Sequence, residues 1–193
     1  MTIPKFETSK HLIKMKTKKL IIISLFLLLI TYGKSSAQEK TTNSAYISFY
    51  SELDAIKAKN FNVTSRLNPE TGAILFSVPI KSFEFENEMM QEHFNQEDVM
   101  DSNKFLTSTF KGHIENFESL NFNKNGIYAV TVKGDLKIKG VVQQITQNGS
   151  LIMDNQIITL ELTIDLDRFF WGIRAKESDV SQILQLQVES IYK

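Results

Sequence analysis

Few side chains of this sequence stand at spacings that suit catalysis or metal binding. His93 could bind a metal ion together with Glu92 or Asp98. Asp165 and Asp167 share one face of a predicted strand, where two carboxyl groups could act as an acid and a base. A single histidine on a short helix is more often a packing or hydrogen-bonding residue, and carboxylates on the outer face of a strand are usually solvated. The sequence therefore predicts no catalytic residue, no metal site and no cofactor.

The absence of cysteine and of catalytic motifs points the same way. Without a cysteine among its 193 residues, the chain has no disulfide bond, zinc–thiolate site or thiol nucleophile. The G-x-S-x-G elbow, the glycine-rich phosphate loop and the H-E-x-x-H zinc motif are missing too. We expect a protein that is not an enzyme and that is stabilised by its hydrophobic core.

Residues 1–37 have the layout of a secretory signal peptide. Three lysines at 16–19 precede an apolar run of eleven residues, 20–30, and small residues end the segment at Ala37. The apolar run is shorter than the roughly 20 residues of a membrane-spanning helix. We expect translation to start at Met15, with a spurious extension before it, and cleavage near Ala37 to release a periplasmic or secreted protein.

The mature domain, residues 38–193, is acidic. Cleavage removes seven lysines and one glutamate, which leaves 15 basic and 21 acidic residues and a net charge near −6. This charge argues against nucleic acid as a partner and against electrostatic binding to an anionic membrane. No stable membrane span is expected in the mature chain. The oligomeric state is left open, with a dimer as one option.

Alternation of apolar and polar residues predicts strands that bury one face. The clear candidates are 44–53, 73–80, 128–140, 157–166 and 183–192, and the weaker ones are 56–67, 107–117 and 149–155. Turn signals at 68–72, 123–126 and 148–149 separate them, and Gly134 is expected to mark a bend. Many one-sided strands joined by short turns predict an all-β, antiparallel barrel of about eight strands.

Residues 86–103 interrupt the strand pattern. The segment is acidic, lacks glycine and proline, and carries Met89, Met90 and Phe94 at helical spacing. We expect a short helix over residues 86–95, followed by a helical or irregular stretch. A helix inserted between the strands of a barrel is expected to lie across one open end.

A barrel of this size is either filled by its own side chains or wide enough for one slim ligand. The aromatic run of Phe169, Phe170 and Trp171 stands where a strand ends, and Met89 and Met90 offer adaptable contacts to a flexible hydrocarbon. Both groups would equally close the end of a filled core. Composition and periodicity leave the two alternatives open.

Three segments in order resemble the YceI-like family over residues 44–192. They are "FEFENEMMQEHFNQEDVMDSNKFLTSTFKG" (83–112), "GDLKIKGVVQQI" (134–145) and "DLDRFFWGIRA" (165–175). The resemblance implies an antiparallel, lipocalin-like barrel in the periplasm. Its elongated pocket would take a long-chain isoprenoid or another apolar, amphiphilic lipid as the partner.

The sequence departs from the pattern of that family at two places. Lys139 stands where many relatives have histidine, and the residues before the Phe110 strand lack the proline that many relatives have. Neither position belongs to the expected pocket. The alternative function is that of a secreted barrel with a filled core, which acts as a protein interaction module or a stress-related structural module.

The strand pattern and the resemblance together give candidate ligand-binding residues. The inward-facing set is Phe49, Phe76, Val130, Val132, Leu136, Leu160, Leu162 and Leu186, and the set at the entrance is Met89, Met90, Phe94, Phe170 and Trp171. Arg168 is expected either to pair with an acidic neighbour or to hold a polar lipid head.

Overall fold

Antiparallel strands with alternating burial build most of the fold. The computed structural model describes residues 40–51, 56–175 and 180–193, and all of these belong to one unit that spans residues 37–193. The predicted signal peptide and Leu53 of the first predicted strand lie outside the described residues. The strands are β1 (Lys40–Ser51), β2 (Ile56–Asn60), β3 (Thr64–Leu67), β4 (Ala73–Pro79), β5 (Glu84–Phe85), β6 (Thr107–Ile114), β7 (Gly126–Ile138), β8 (Val141–Asp154), β9 (Ile157–Asp167) and β10 (Ile183–Tyr192).

Eight strands form a closed ring, which confirms the predicted barrel. Neighbours in the ring are β1, β3, β4, β6, β7, β8, β9 and β10, and pairing of β10 with β1 completes it. The predicted single strand 56–67 is divided into β2 and β3, both of which pair with β1. β2 lies outside the ring, where it pairs with β1 on one side and with the two-residue strand β5 on the other. The sheet therefore splays apart at one end of the barrel.

The helix α1 (Glu88–Phe94) lies within the predicted insertion. The Asn87 side chain caps it by accepting hydrogen bonds from the backbone N–H groups of Met89 and Met90. Seven residues are too few for a helix that is stable on its own, so its position depends on packing. Two further short helical turns, Ile80–Ser82 and Phe117–Ser119, and the turn Arg168–Trp171 complete the helical structure of the described residues.

One predicted turn is wrong. Residues 148 and 149 lie inside β8, which runs for 14 residues, and Gly149 pairs with Leu162 of β9. The chain instead reverses at Lys139 and Gly140, where φ is 47° and 82°, as the two central positions of a tight hairpin turn require. Glycine is needed within the strand for another reason, because a Cβ atom at Gly149 would lie 2.3 Å from the carbonyl oxygen of Glu161.

Gly134, where the sequence predicts a bend, lies at a close approach of two strands. Gly134 pairs with Gly112 of β6, and a Cβ atom at Gly134 would lie 2.3 Å from the carbonyl oxygen of Lys111. Glycine at both positions lets β6 and β7 come together where any side chain would force them apart.

Tyr192 anchors the filled end of the barrel. Its side chain is fully buried and its hydroxyl lies 2.6 Å from Ser65 Oγ. Burial raises the pKa of Tyr192 from 10.0 to about 12, and the hydroxyl groups of Ser65 and Ser190 partly offset this rise. The folded state thus favours the neutral phenol.

We expect the stability that comes from neutral Tyr192 to be complete below about pH 10 and to be lost as the pH rises towards 12. Between these values the unfolded chain releases the phenol proton while the folded chain keeps it, so the free energy of unfolding falls by about 2–3 kcal/mol. Urea unfolding at about pH 9 and about pH 11 should show about half of this change, roughly 1.3 kcal/mol, because pH 11 lies midway between the two pKa values. In Tyr192→Phe the free energy of unfolding should fall less between the two pH values. An equal fall in both proteins would show that Tyr192 is not the group responsible.

Candidate binding cavity

The barrel is filled at one end and hollow at the other. Inward side chains such as Leu151 and Leu160 are completely buried. Further along the same strands, inward side chains such as Ile145 and Ile164 are only half-buried, although they do not face the outside of the barrel. They face a cavity of about 430 Å³, which is in the range of small-molecule binding sites.

Apolar side chains from nearly every strand line this cavity. Those on the barrel wall are Ile47, Phe49, Ile56, Phe76, Val78, Phe110, Val132, Leu136, Ile138, Ile145, Leu162, Ile164, Leu166, Leu184, Leu186 and Val188. Those from the helical insertion and the loops are Ile80, Phe83, Phe85, Met89, Met90, Phe94, Val99, Met100, Ile173, Ala175 and Val180. A hydrocarbon chain would be surrounded by carbon atoms along the whole cavity.

Four phenylalanines hold α1 against the rim of the cavity. The ring centroid of Phe94 lies 5.0 Å from Phe85, 5.4 Å from Phe83 and 6.0 Å from Phe49. Phe94 is thus the anchor of a helix whose remaining side chains are largely exposed. Met89, at 76% exposure, contributes to the cavity lining from the outer edge and marks the entrance.

Polar groups are few in the cavity. Those among the lining residues are Asn87, His93, Ser108, Thr109, Gln147 and Arg168. Within the described part of the chain, the Ser108 hydroxyl is buried and has no hydrogen-bond partner. His93 Nδ1 lies 3.0 Å from Gln96 Oε1 at the exposed rim. The cavity wall therefore suits a largely apolar molecule that carries few polar groups.

Arg168 is completely buried beside the cavity and holds the chain that follows β9. Its Nε donates to the carbonyl oxygen of Ser181 (3.0 Å), Nη1 to that of Ile173 (2.8 Å) and Nη2 to that of Val180 (3.2 Å). The ring of Phe169 lies 4.4 Å from the guanidinium carbon. Each nitrogen of the guanidinium thus already donates to the backbone, so we assign Arg168 a structural role.

Nine of the thirteen predicted binding residues line the cavity. They are Phe49, Phe76, Met89, Met90, Phe94, Val132, Leu136, Leu162 and Leu186. Contact of these residues with a ligand stays a prediction.

The other four lie elsewhere. Val130 and Leu160 face inward but belong to the filled end. Phe170 is 64% exposed, and Trp171 is buried in a cluster with Ile138 and Leu166, with its Nε1 donating to the carbonyl oxygen of Leu136 (3.4 Å). The strand alternation stops at the short helical turn Arg168–Trp171, so the period of two no longer gives the direction of these side chains.

Sequence reasoning missed lining residues of two kinds. Ile164 and Leu166 stand on the inward face of a predicted strand, and continuing the alternation to the end of that strand would have found them. Val99 and Met100 follow α1 in an irregular stretch, and no periodic signal identifies them.

The suggested acid and base, Asp165 and Asp167, both stand at the end of β9. Asp167 caps the turn that follows β9, where its side chain accepts a hydrogen bond from the N–H of Phe169. Asp165 is exposed on the outer face of β9. Among the described residues, no group of three or more His, Asp or Glu side chains is placed to hold a metal ion. In the part of the chain that the structure describes, no helix is long and apolar enough to cross a membrane.

An eight-stranded antiparallel barrel with an apolar cavity at one end is a lipocalin-like fold. A family model, the YceI-like domain, matches residues 36–190. The chain therefore belongs to the YceI-like family. No curated protein matches the chain in the sequence comparison.

Solved structures share the fold at low sequence identity. BcnA from Burkholderia cenocepacia is 16% identical, with a TM-score of 0.64, and the match covers 77% of this chain and 96% of BcnA. A polyisoprenoid-binding domain from Saccharophagus degradans, implicated in plant cell wall breakdown, is 9% identical, with a TM-score of 0.68 and coverage of 80% and 97%. The YceI protein of Campylobacter jejuni is 16% identical, with a TM-score of 0.53 and coverage of 68% and 80%.

Proposed function

We propose that this protein binds a long-chain isoprenoid or a similar amphiphilic lipid inside the barrel and does not act as an enzyme. The hollow, carbon-lined end of the barrel is the observation that carries the proposal. Membership of the YceI-like family and the fold shared with a polyisoprenoid-binding domain support it.

Burial of hydrocarbon supplies the free energy of binding. At about 0.8 kcal/mol for each buried CH₂, one isoprene unit of five carbons contributes roughly 4 kcal/mol. A few units would outweigh an association cost of roughly 4–15 kcal/mol. The alternative, a filled barrel that acts through its surface, does not account for the half-buried inward side chains at Leu136, Ile145, Ile164 and Leu186.

A series of isoprenoid alcohols of increasing length tests the function directly. Affinity should rise with each added unit until the cavity is full and then level off. An alcohol that binds no more tightly as it grows longer, or a protein that binds none of the series, would contradict the proposal. Isothermal titration calorimetry gives the affinities and also the negative heat-capacity change that apolar burial produces.

We also propose that the protein is exported to the periplasm or secreted. The lysine-rich start, the apolar run of residues 20–30 and the small residues before Gln38 support this. Fractionation of the native cells, followed by intact-mass measurement, should recover a chain that begins near Gln38. An intracellular protein that retains residues 15–37 would argue against export and leave the lipid proposal untouched.

Phe94→Ala should speed the release of a bound lipid by about tenfold, because affinity differences within one site arise mainly from dissociation rates. The variant removes the ring that fixes α1 to Phe49, Phe83 and Phe85 at the cavity rim. Stopped-flow displacement of a fluorescent isoprenoid alcohol measures the rate. Glu92→Ala, on the same helix but exposed and outside the cavity lining, is the matched control and should change the rate less than about twofold. Equal release from the two variants would show that α1 does not cover the entrance.

A further inference from the structure

We infer that the lipid carries an uncharged hydrogen-bonding group, such as a hydroxyl, carbonyl or amide, and that this group meets Ser108 inside the cavity. The inference rests on the proposed lipid-binding function and narrows the class of ligand. Its basis is a hydroxyl group that the protein itself leaves without a partner.

Ser108 faces inward from β6, between the wall residues Val78 and Phe110. The side chain is 93% buried, since its exposure is 7%, and within the described residues its Oγ has no hydrogen-bond partner. A buried hydroxyl without a partner is unfavourable, and few such groups occur in folded proteins. A ligand that brings a partner to Oγ recovers this loss on binding, while a pure hydrocarbon does not.

The cationic groups around the cavity do not suit an anionic lipid. Arg168 and His93 are the described lining residues that can carry a positive charge. The three nitrogens of Arg168 already donate to backbone carbonyl oxygens, and His93 is exposed at the rim with Nδ1 3.0 Å from Gln96. The exposed carboxylates of Glu88 and Glu92 stand on the same helix as His93. A phosphate or carboxylate group would therefore be repelled by the glutamates of α1 as it enters. Of the described cationic side chains, it would meet only Arg168 inside the cavity, whose nitrogens already donate to the backbone.

The test combines two proteins with three ligands of one carbon skeleton: geranylgeraniol, the corresponding hydrocarbon and geranylgeranyl phosphate. For the wild type we expect the alcohol to bind about tenfold more tightly than the hydrocarbon, a difference of about 1.4 kcal/mol, and at least about tenfold more tightly than the phosphate. Ser108→Ala should remove the preference, so that the alcohol no longer binds more tightly than the hydrocarbon to that variant. Ser48→Ala, which removes a hydroxyl from the outer face of β1, should preserve the preference.

The outcomes separate this inference from the proposed function. If the alcohol and the hydrocarbon bind equally well to the wild type and to Ser108→Ala, the lipid function stands and the role of Ser108 is wrong. If the phosphate binds most tightly, the assignment to uncharged lipids is wrong. If none of the three ligands binds, the proposed function and this inference both fail.

Discussion

Ile164→Trp should weaken lipid binding more than a hundredfold and leave the barrel folded. Ile164 faces inward from β9 opposite Leu186, and its half-buried side chain borders the cavity. The larger indole would occupy space that the ligand needs. If it displaces about four methylene groups, the loss at about 0.8 kcal/mol each is about 3 kcal/mol, or more than a hundredfold in affinity. Overpacking should cost little, because the side chain grows into a cavity and not into a close-packed core.

The matched control for this variant is Thr163→Trp. Thr163 is the preceding residue of β9 and is exposed on the outer face of the barrel. We expect its lipid affinity to stay within about twofold of the wild type. Circular dichroism and urea unfolding confirm that both variants are folded. A folded Ile164→Trp protein that binds the isoprenoid alcohols as tightly as the wild type would show that the ligand occupies another site.

Arg168→Met should cause a large loss of stability, about 3–5 kcal/mol. The three hydrogen bonds from the guanidinium to backbone carbonyl oxygens would be lost, and each bond from a charged donor contributes about 1.5–3 kcal/mol. Part of this loss is offset because the variant no longer buries a charge. At roughly 2–4 °C for each kcal/mol in a chain of this size, the Tm should fall by roughly 10 °C. Differential scanning calorimetry measures the shift.

Arg174→Met is the control for the loss of a guanidinium group. Arg174 is close in sequence but exposed, so we expect its removal to change the free energy of unfolding by less than about 0.5 kcal/mol. Similar stability of the Arg168 and Arg174 variants would mean that the buried hydrogen bonds of Arg168 do not hold the chain after β9. The stability measurement also separates a structural role of Arg168 from binding of a lipid head group. If Arg168 only held a head group, its replacement by methionine would lower lipid affinity without this loss of stability.

The sequence predicts the barrel well because one-sided strands leave a period of two. β7 and β9 follow the predicted alternation closely. The sequence predicts β8 only over residues 149–155, since Gln143 and Gln147 interrupt the apolar face in its first half. Gly149 reinforced the error. It resembles a turn signal after Asn148, whereas its role in the structure is to let β8 and β9 approach closely.

The candidate site could be predicted where it lies on regular strands and not where it lies on loops. Leu136, Leu162 and Leu186 follow from the alternation. The direction of Trp171 does not, because the backbone leaves the strand at Arg168 and ends a helical turn at Gly172, where φ is 68°. Whether the barrel is hollow is a matter of total side-chain volume across strands that are distant in sequence, and no local pattern reports it.

Extraction of the purified protein with organic solvent, followed by mass spectrometry, is the most direct test of the central claim. The account predicts a long-chain, uncharged lipid in an amount that approaches one molecule per chain from the wild type, and a much smaller amount from Ile164→Trp. A wild-type protein that yields no lipid and also fails to bind added isoprenoid alcohols would contradict the account.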